Sequence, residues 1–345
     1  MGIRILRPGQ FTSIQDEGRY GYQRYSFGVC GVMDHTAYRL ANLILGNPKG
    51  QSVLEFTLVG PKLITTEDIW VTVTGGDFPI LLNEEEVPAY TAIEMKAGDT
   101  LDIKGVREGN YGYLAFSRRF DIKPVMGSDS TNVKSHIGGL KGQILKAGDQ
   151  LSFRSGPDKT ARKRSQDDYK GRTIRPRDRS LLNASEPDLL RVILGPQKDA
   201  FTEDGIATFL GSEYVLSQHI DRMGYRMAGP AVEHKDGADI LSDGTVFGVV
   251  QIPADGQPIV LMADRQTTGG YTKIATVITA DLPALVQGKP GTAYRFQAVS
   301  VEKAQALLVE MQENYNRLDE EISHKDTFRG RRTAEKIEQL LLEQQ

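Results

Sequence analysis

Residues 262–278 read MADRQTTGGYTKIATVI, and this stretch places a dense set of polar side chains between two apolar segments. The segment that ends at Met262 and the segment Ile274–Ile278 are aliphatic and partly β-branched, which predicts two strands. Between them, Gly269 and Gly270 allow either a hairpin turn with positive φ angles or the close approach of a ligand to the backbone. At this level the sequence leaves the turn and the binding site equally open.

The polar residues of this stretch are suited to a small molecule that carries an amide or an acid. Arg265 offers a planar fork that matches a carboxylate, and Gln266 can both donate and accept hydrogen bonds. We therefore predict a binding segment formed by Arg265, Gln266, Thr267, Thr268, Gly269, Gly270, Tyr271 and Lys273.

Composition places the chain among ordinary globular proteins. Its 345 residues suggest about two domains of roughly 150 residues each. The net charge of -3 argues against a nucleic-acid-binding protein. The single cysteine, Cys30, excludes a disulfide framework and fits a cytoplasmic location. No apolar segment has the length of a membrane span or the pattern of a signal peptide, and glycines between short β-rich segments predict a mainly β fold.

The pattern along the chain predicts four parts. Residues 1–158 and 188–299 are expected to form two β domains, and residues 300–345 a helical extension. Residues 159–187 are rich in Arg and Lys and poor in apolar residues, which is typical of a solvated linker. The alternative, a basic patch for nucleic acid, lacks interleaved aromatic residues.

Local signals predict the helices and one repeated turn. Asp34 can cap a helix whose apolar face ends before Gly46. The hexapeptides KAGDTL at 96–101 and KAGDQL at 146–151 predict the same turn before a strand. From Val301, apolar residues at alternating spacings of three and four predict a long helix, interrupted by a basic hinge near Arg329. That helix either docks on the body or pairs with a second copy of the chain.

Further candidate site residues lie in three other segments. Residues 8–22 are expected to be a loop that presents Gln15, Asp16 and Arg19 to a ligand, the alternative being a solvated loop. Gly76 with Asp77, and Ser128 with Ser130, follow strand ends, although capping or Asx turns explain the two serines equally well. Arg222 and Arg226 flank a glycine and can clamp a carboxylate. The candidate general bases of the chain are Asp16, Asp77 and Asp264.

Several kinds of site are not expected from the sequence. The five histidines show no metal-ligand spacing, and no metal site is predicted. Neither a Walker A loop nor a dinucleotide-binding glycine motif is present in the sequence, so no ATP site is predicted on this chain. Cys30 has no nearby histidine and is interpreted as a small buried residue.

An ordered set of motifs resembles a known family. These motifs are SIQDEGR at 13–19, GVMD at 31–34 with the helix after it, EFTLVGP at 55–61, GGD at 75–77, MGSDST at 126–131 and DRQTTGGY at 264–271. They are similar to the allophanate hydrolase subunit 2 family, also called the biotin-dependent carboxyltransferase family, which includes KipA and the C subunit of 5-oxoprolinase. The resemblance covers about residues 1–300, and the helical extension falls outside it.

The resemblance implies a fold, partners and three candidate functions. The fold would be two tandem cyclophilin-like β-barrels. In a 5-oxoprolinase, the chain would open 5-oxoproline to glutamate together with a KipI-like B subunit and a LamB/YcsF-like A subunit, with ATP used through a partner. The alternatives are a carboxyltransferase component that contacts the biotin of a separate carrier without a covalent bond, as in urea carboxylase, and a KipA-like regulator that antagonises a KipI-like kinase inhibitor.

Two positions depart from the family pattern. The family often has Arg in its Gly-Ser-x-Ser-Thr segment, where this chain has Asp129. This change reverses the charge and argues against an anionic ligand at that loop. Thr272 stands where the family often has Pro, which we interpret as a minor change.

Overall fold

The computed structural model describes residues 2–155, 166–175 and 188–342, with the side chains of 2–155, 168–175 and 188–322. The first half contains eleven strands within these ranges: β1 Gly2–Arg7, β2 Gln10–Gln15, β3 Val53–Thr57, β4 Lys62–Thr65, β5 Ile69–Asp77, β6 Ile80–Leu82, β7 Glu85–Val87, β8 Ile93–Met95, β9 Thr100–Ile103, β10 Glu108–Phe116 and β11 Gln150–Ser152. The second half contributes β12 Leu189–Leu194, β13 Glu213–Ile220, β14 Gly224–Ala228, β15 Asp239–Gly244, β16 Val249–Ile252, β17 Ile259–Leu261, β18 Thr268–Val277 and β19 Ala293–Ala298.

The described helices are few, and one of them is long. They are α1 His35–Leu45, α2 Glu203–Gly211, α3 Leu282–Val286 and α4 Val301–Leu342, with short 3-10 turns at Gln23–Tyr25, Gln166–Tyr169 and Lys198–Ala200. The prediction of a mainly β fold with a C-terminal helix is therefore confirmed. Among the described residues, no helix has the length and apolar character needed to cross a membrane.

The two halves build their β structure differently. In the first half, a six-stranded sheet (β11-β1-β4-β9-β6-β7) packs on a five-stranded one (β2-β3-β10-β5-β8) through a shared apolar core. In the second half, β12-β19-β13-β14-β17-β16-β18 close into a seven-stranded barrel by the pairing of β12 with β18, and β15 extends the sheet beside β18. A second core joins α1, the barrel interior and the beginning of α4, so it runs across both halves.

Local sequence signals account for several of these elements. The carboxylate of Asp34 accepts a hydrogen bond from the backbone N–H of Ala37, and Gly46 ends α1 in the left-handed conformation, as predicted. In both repeated hexapeptides the aspartate side chain accepts from the lysine backbone N–H at 2.7 Å, Asp99 from Lys96 and Asp149 from Lys146. Each turn leads into a strand, which confirms that the repeat is one turn used twice.

The middle of the predicted linker is not solvated. Arg172 is buried and donates to the backbone carbonyls of Leu43 and Ile44 at the end of α1, where helix carbonyls lack partners. Tyr169 stacks on Trp70 with ring centroids 5.3 Å apart. The prediction of a solvated segment was wrong here, because these side chains find an apolar face and free carbonyls on the first half. The outer parts of that segment, 159–165 and 176–187, lie outside the described residues.

The C-terminal helix α4 is continuous, so the predicted hinge near Arg329 was wrong at the level of the backbone. Its first turns dock on the body of the same chain. Met311, Leu318 and Ile322 of the predicted apolar face are buried, and the hydroxyl of Tyr315 donates to the carbonyl of Arg39 on α1. The helix thus docks through its buried face, while pairing with a second copy stays a prediction.

Candidate functional site

The N-terminal polar segment is organised around the carboxylate of Asp16. Residues 10–15 form β2 and not the predicted loop, because they pair with β3. Directly after β2, Asp16 accepts from the backbone N–H groups of Gly18 at 2.8 Å and Asp129 at 2.6 Å, and from the hydroxyls of Ser128 and Ser130. With four donors in place, this carboxylate ties two loops together, which argues against its predicted role as a general base.

The other predicted residues of this cluster also point inward. Arg19 is fully buried and donates to the carbonyl of Ser130 at 2.6 Å, while the Gln15 amide donates to the carbonyl of Thr131 at 3.2 Å. The sequence therefore identified groups that do come together in space. Their contacts, however, are with the loop itself, so their predicted contact with a ligand stays untested.

Asp129, the departure from the family pattern, is a buried acceptor and not a surface charge. Its carboxylate accepts from the hydroxyl of Ser52 at 2.9 Å and forms an ion pair with Arg119 at 3.4 Å. The reversed charge is therefore compensated inside the first half. The second departure is also explained, since the backbone N–H of Thr272 donates to the carbonyl of Ala238 at 2.9 Å, a bond that proline cannot form.

Arg222 does not clamp a ligand together with Arg226. Arg222 is only 4% exposed, and its guanidinium binds both carboxylate oxygens of Asp264 at 2.8 Å, the carboxylate of Glu55 and the carbonyl of Gly31. Arg226 lies on β14 with an exposed side chain. The clamp prediction was wrong because Arg222 lies in the turn between β13 and β14 and is buried there, whereas Arg226 lies on β14 and faces solvent.

Burial and the charges of this network shift the pKa values of its members and of Cys30. Burial raises the pKa of Glu55, and the nearby Arg222 opposes that shift. Burial by itself would lower the pKa of Arg222. The carboxylates of Asp264 and Glu55 have the larger, opposite effect and hold this pKa well above its usual range. Burial, together with the adjacent Asp264, raises the pKa of the Cys30 thiol to about 12, so Cys30 is an unreactive buried residue as predicted. Asp264 is thus engaged by Arg222 before any substrate arrives.

The third predicted carboxylate, Asp77, stands apart from this network. It is exposed at the end of β5, and its backbone carbonyl accepts from the N–H of Arg107. The neighbouring Gly76 is required by packing, since a Cβ there would lie 2.8 Å from the carbonyl oxygen of Glu108. Asp77 and Gly76 therefore contact residues at the start of β10, the strand paired with β5, and not the residues around Asp16 or Asp264.

Residues 265–273 form a polar line along the seven-stranded barrel of the second half. Gly269 and Gly270 lie inside β18 and not in a turn, so the hairpin interpretation was wrong. A Cβ on Gly269 would lie 2.4 Å from the side-chain nitrogen of Gln251, so any larger residue would force that amide to move. Gln251 pairs in register with Lys273 across β16 and β18. The glycine therefore makes room for an amide next to a cation.

Lys273 holds a buried cation with spare hydrogen-bonding capacity. Its residue is 3% exposed, and its ammonium has no hydrogen-bond partner among the residues that the structure describes. Its nearest charge is the carboxylate of Asp243, 3.6 Å away on β15. Asp243 in turn accepts from the amide of Gln197 at 3.3 Å. The ammonium makes only this long ion pair, and leaving the N–H donors of a buried group without acceptors costs free energy.

Arg265 is the second cation of this line. Its guanidinium donates to the carbonyl of Met262 at 3.2 Å, and its Nε has no partner within the described part of the chain. Burial lowers its pKa, against the opposing influence of the phenol of Tyr20 from the first half. The side chain also lies 6.0 Å from the ring centroid of Phe247. Arg265 thus keeps one donor for a ligand at a place where the two halves meet.

The remaining predicted residues of the segment lie nearer the surface. Gln266, Thr268 and Tyr271 are exposed, and Thr267 and Gly270 are half-buried. Sequence reasoning assigned no role to Gln197, Asp243 or Gln251, which complete the surroundings of Lys273. These three residues are distant from Lys273 in the sequence, and the pairing of β18 with its neighbouring strands brings them close to it.

No group of three or more His, Cys, Asp or Glu side chains in the described ranges is arranged to hold a metal ion. The candidate site consists of amides, hydroxyls, two cations and the carboxylates of Asp243 and Asp264. Such a set can bind and orient a small polar molecule that carries a carboxylate or a carbonyl oxygen.

Comparison with protein families identifies the family of the chain. Residues 25–298 match the model of the carboxyltransferase domain, subdomains A and B. The chain belongs to this carboxyltransferase family. A relative from Haemophilus influenzae, named as the C subunit of 5-oxoprolinase, is 36% identical over 305 residues, covering 88% of this chain and 94% of the relative. The Escherichia coli protein of the same name is 36% identical over 302 residues, with 88% and 93% covered.

A solved member of the family has the same fold. The crystal structure of Kluyveromyces lactis urea carboxylase matches with a TM-score of 0.83 at 28% identity. The match covers 92% of this chain and 29% of that protein. The carboxyltransferase fold thus occurs both as a chain of about this length and as a part of a much longer enzyme.

Proposed function

We propose that this chain is the C subunit of a 5-oxoprolinase-type complex that hydrolyses 5-oxoproline to glutamate. Support comes from the two relatives named as the C subunit of 5-oxoprolinase, which match along nearly their whole length. In this proposal the complex uses ATP through a partner, and the partners are a KipI-like B subunit and a LamB/YcsF-like A subunit. Its cytoplasmic location stays a prediction from the single cysteine.

The observation that carries the proposal is the buried ammonium of Lys273 without a hydrogen-bond partner among the described residues. 5-Oxoproline presents a carboxylate and a lactam carbonyl, both of which accept hydrogen bonds. Lys273 and the free Nε of Arg265 are donors that lack acceptors, while Gln251 can donate or accept. We assign these three residues to binding and orienting the substrate, and we propose Asp264 as the carboxylate to test for proton transfer, with Arg222 holding it in place.

Replacement of Lys273 tests this assignment. The complex is reconstituted from the three proteins, and ATP-dependent formation of glutamate from 5-oxoproline is measured. Lys273→Met should reduce activity by at least about 100-fold, while its resistance to urea stays equal or increases, since a buried charge is replaced by an apolar group of similar size. Lys198→Met, at an exposed position near Gln197, is the control and should retain activity.

Arg265→Ala should likewise abolish activity while the chain remains folded and still assembles with its partners. Full activity of either site variant would overturn the site assignment. If the complete complex forms from all three proteins and the unmodified chain supports no glutamate formation, the 5-oxoprolinase function itself fails.

A second candidate function is favoured by the match to the carboxyltransferase model and to urea carboxylase. In that case the chain would bind the biotin of a separate carrier without a covalent bond. Titration with biotinyl-lysine tests it: binding that Lys273→Met weakens supports the carboxyltransferase function, and no measurable affinity at millimolar ligand counts against it. The regulatory hypothesis predicts instead that only a KipI-like partner co-purifies from cells and that no 5-oxoproline is opened.

A further inference from the structure

A cavity of about 130 Å³ lies between α1 of the first half and α3 of the second half. Its walls include Thr36 and Leu40 of α1, the helix cap Asp34, Ala284 of α3, and Gln287 just after α3. At roughly 30 Å³ per water molecule, the volume corresponds to about four waters. The cavity is therefore large enough for a compact organic molecule, and none of its walls belongs to the polar line around Lys273.

A buried donor in this cavity has no acceptor. Thr36 is 6% exposed, and its hydroxyl has no hydrogen-bond partner among the residues that the structure describes. Leaving such a hydroxyl unpaired costs free energy, so an acceptor on a ligand or a water molecule stabilises it. Thr36 follows Asp34 by two residues, so both groups lie at the same end of α1.

An acceptor faces the same cavity and is held rigidly. One carboxylate oxygen of Asp34 accepts from the backbone N–H of Ala37, and the other accepts from the side-chain amide of Gln287, both at 2.9 Å. Gln287 is fixed in turn, because its carbonyl oxygen accepts from the backbone N–H groups of Asn110 and Tyr111. A carboxylate has about four acceptor positions, so Asp34 can accept a further bond from a ligand.

The charges around the cavity select an uncharged ligand. The residues that form its walls in the described chain include the carboxylate of Asp34 and no Lys, Arg or His. An anion would meet Asp34 without a compensating cation, and burial in such a place is unfavourable. A buried cation would have only Asp34 as its counter-charge, and Asp34 already interacts with the positive end of α1, so burial of a cation there is also unfavourable. A neutral molecule whose donor and acceptor atoms are bonded to the same carbon, as in a carboxamide, can satisfy both Thr36 and Asp34.

We propose that this cavity binds a small uncharged carboxamide, whose carbonyl accepts from the Thr36 hydroxyl and whose N–H donates to Asp34. Aliphatic groups of the ligand would contact Leu40 and Ala284. The site goes beyond the proposed function and does not depend on it, because 5-oxoproline is an anion and Asp34 would exclude it. Since Gln287 connects the two halves here, an occupied cavity strengthens their junction.

The test compares isosteric probes on the full chain by methyl NMR. Acetamide should shift the methyl signals of Ala37, Leu40 and Ala284 in a saturable manner, whereas acetate and ethylammonium should not. Thr36→Val, which keeps the shape but removes the hydroxyl, should weaken acetamide binding about tenfold. Thr36→Ser, which keeps the hydroxyl, should bind within about twofold of the unmodified chain.

Several outcomes would overturn the proposal. Equal shifts from acetate and acetamide would show that charge is not selected, and unchanged affinity in Thr36→Val would remove the hydroxyl from the site. No saturable shift with any probe would mean that only water occupies the cavity. Should Thr36→Val fail to fold, Ala284→Leu fills the cavity from the opposite wall and must abolish the acetamide shifts of Ala37 and Leu40. The acetamide shifts are measured on this chain alone and do not depend on 5-oxoproline turnover by the complex. A negative NMR result therefore overturns only the cavity proposal, and absence of turnover overturns only the proposed function.

Discussion

The guanidinium of Arg222, from the barrel half, is hydrogen-bonded to the buried carboxylate of Glu55, from the first half. The same guanidinium also binds Asp264, which directly precedes Arg265. A single side chain therefore connects the two halves of the chain and also holds the beginning of the polar segment. Buried charges of this kind are tolerated only when they are paired. The position of Asp264 at the candidate site is thus set by a residue that does not itself face a ligand.

Arg222→Ala should lower the free energy of unfolding by about 3–5 kcal/mol, because it leaves the carboxylate of Glu55 buried without its partner. The measurement is guanidinium chloride unfolding followed by circular dichroism. The control is Arg226→Ala, an exposed arginine on the next strand, which should change stability by less than about 0.5 kcal/mol. Similar losses for the two variants would contradict a special role for the Arg222–Glu55 pair.

The two glycines of β18 should respond differently to alanine. In Gly269→Ala the new methyl group would lie 2.4 Å from the Gln251 amide and must displace it from its place near Lys273. In Gly270→Ala the nearest atoms are 3.7 Å away, at ordinary contact distance. We expect Gly269→Ala to lower the kcat/KM of the reconstituted complex by about 10- to 100-fold. Gly270→Ala should remain within about twofold, and equal effects would show that Gln251 is not part of the site.

Asp16 and Asp77 provide a third matched pair. Asp16→Ala removes the acceptor of four donors in a buried loop, and we expect a loss of about 2–4 kcal/mol in unfolding free energy. Asp77→Ala alters an exposed side chain and should change stability by less than about 0.5 kcal/mol. Urea unfolding measures both. A strong loss of activity in Asp77→Ala without loss of stability would instead restore Asp77 as a catalytic candidate.

Stability should fall in mildly acidic solution because of His35 at the start of α1. Burial, assisted by the nearby Arg39, lowers the pKa of His35 to about 4, from an ordinary value of 6.5. Between these two values the unfolded chain binds the proton that the folded chain refuses, so stability is lost as the pH falls from 6.5 towards 4. At pH 5 this amounts to about 2 kcal/mol relative to pH 7.

The contribution of His35 is isolated by substitution. His35→Gln should remove most of the difference in unfolding free energy between pH 7 and pH 5, as measured by urea titration at each pH. His219→Gln, at an exposed position on β13, should leave that difference unchanged. If both variants keep the pH dependence of the unmodified chain, other groups cause it.

How far the fold could be predicted depended on the range of the interactions involved. The cap of α1, the glycine that ends it and the repeated Lys-Ala-Gly-Asp turn rest on residues within a few positions of one another, and all were predicted correctly. β2 was taken for a loop because it follows Pro8-Gly9 and leads into the polar residues Gln15, Asp16 and Arg19. Its pairing with β3, some forty residues later, decides its conformation.

The candidate site shows the same division. The sequence by itself determined that Arg265, Gly269 and Lys273 belong to a polar segment of a carboxyltransferase-family chain, because residue types and their order along one segment are enough to mark it. Only the tertiary structure decided that the two glycines lie within a strand, that Gln251 and Asp243 flank Lys273, and that Arg222 turns away from solvent to bind Glu55. The reason is physical: strand pairing and burial join residues that are far apart in the chain, and no local pattern records which partner a buried charge will meet.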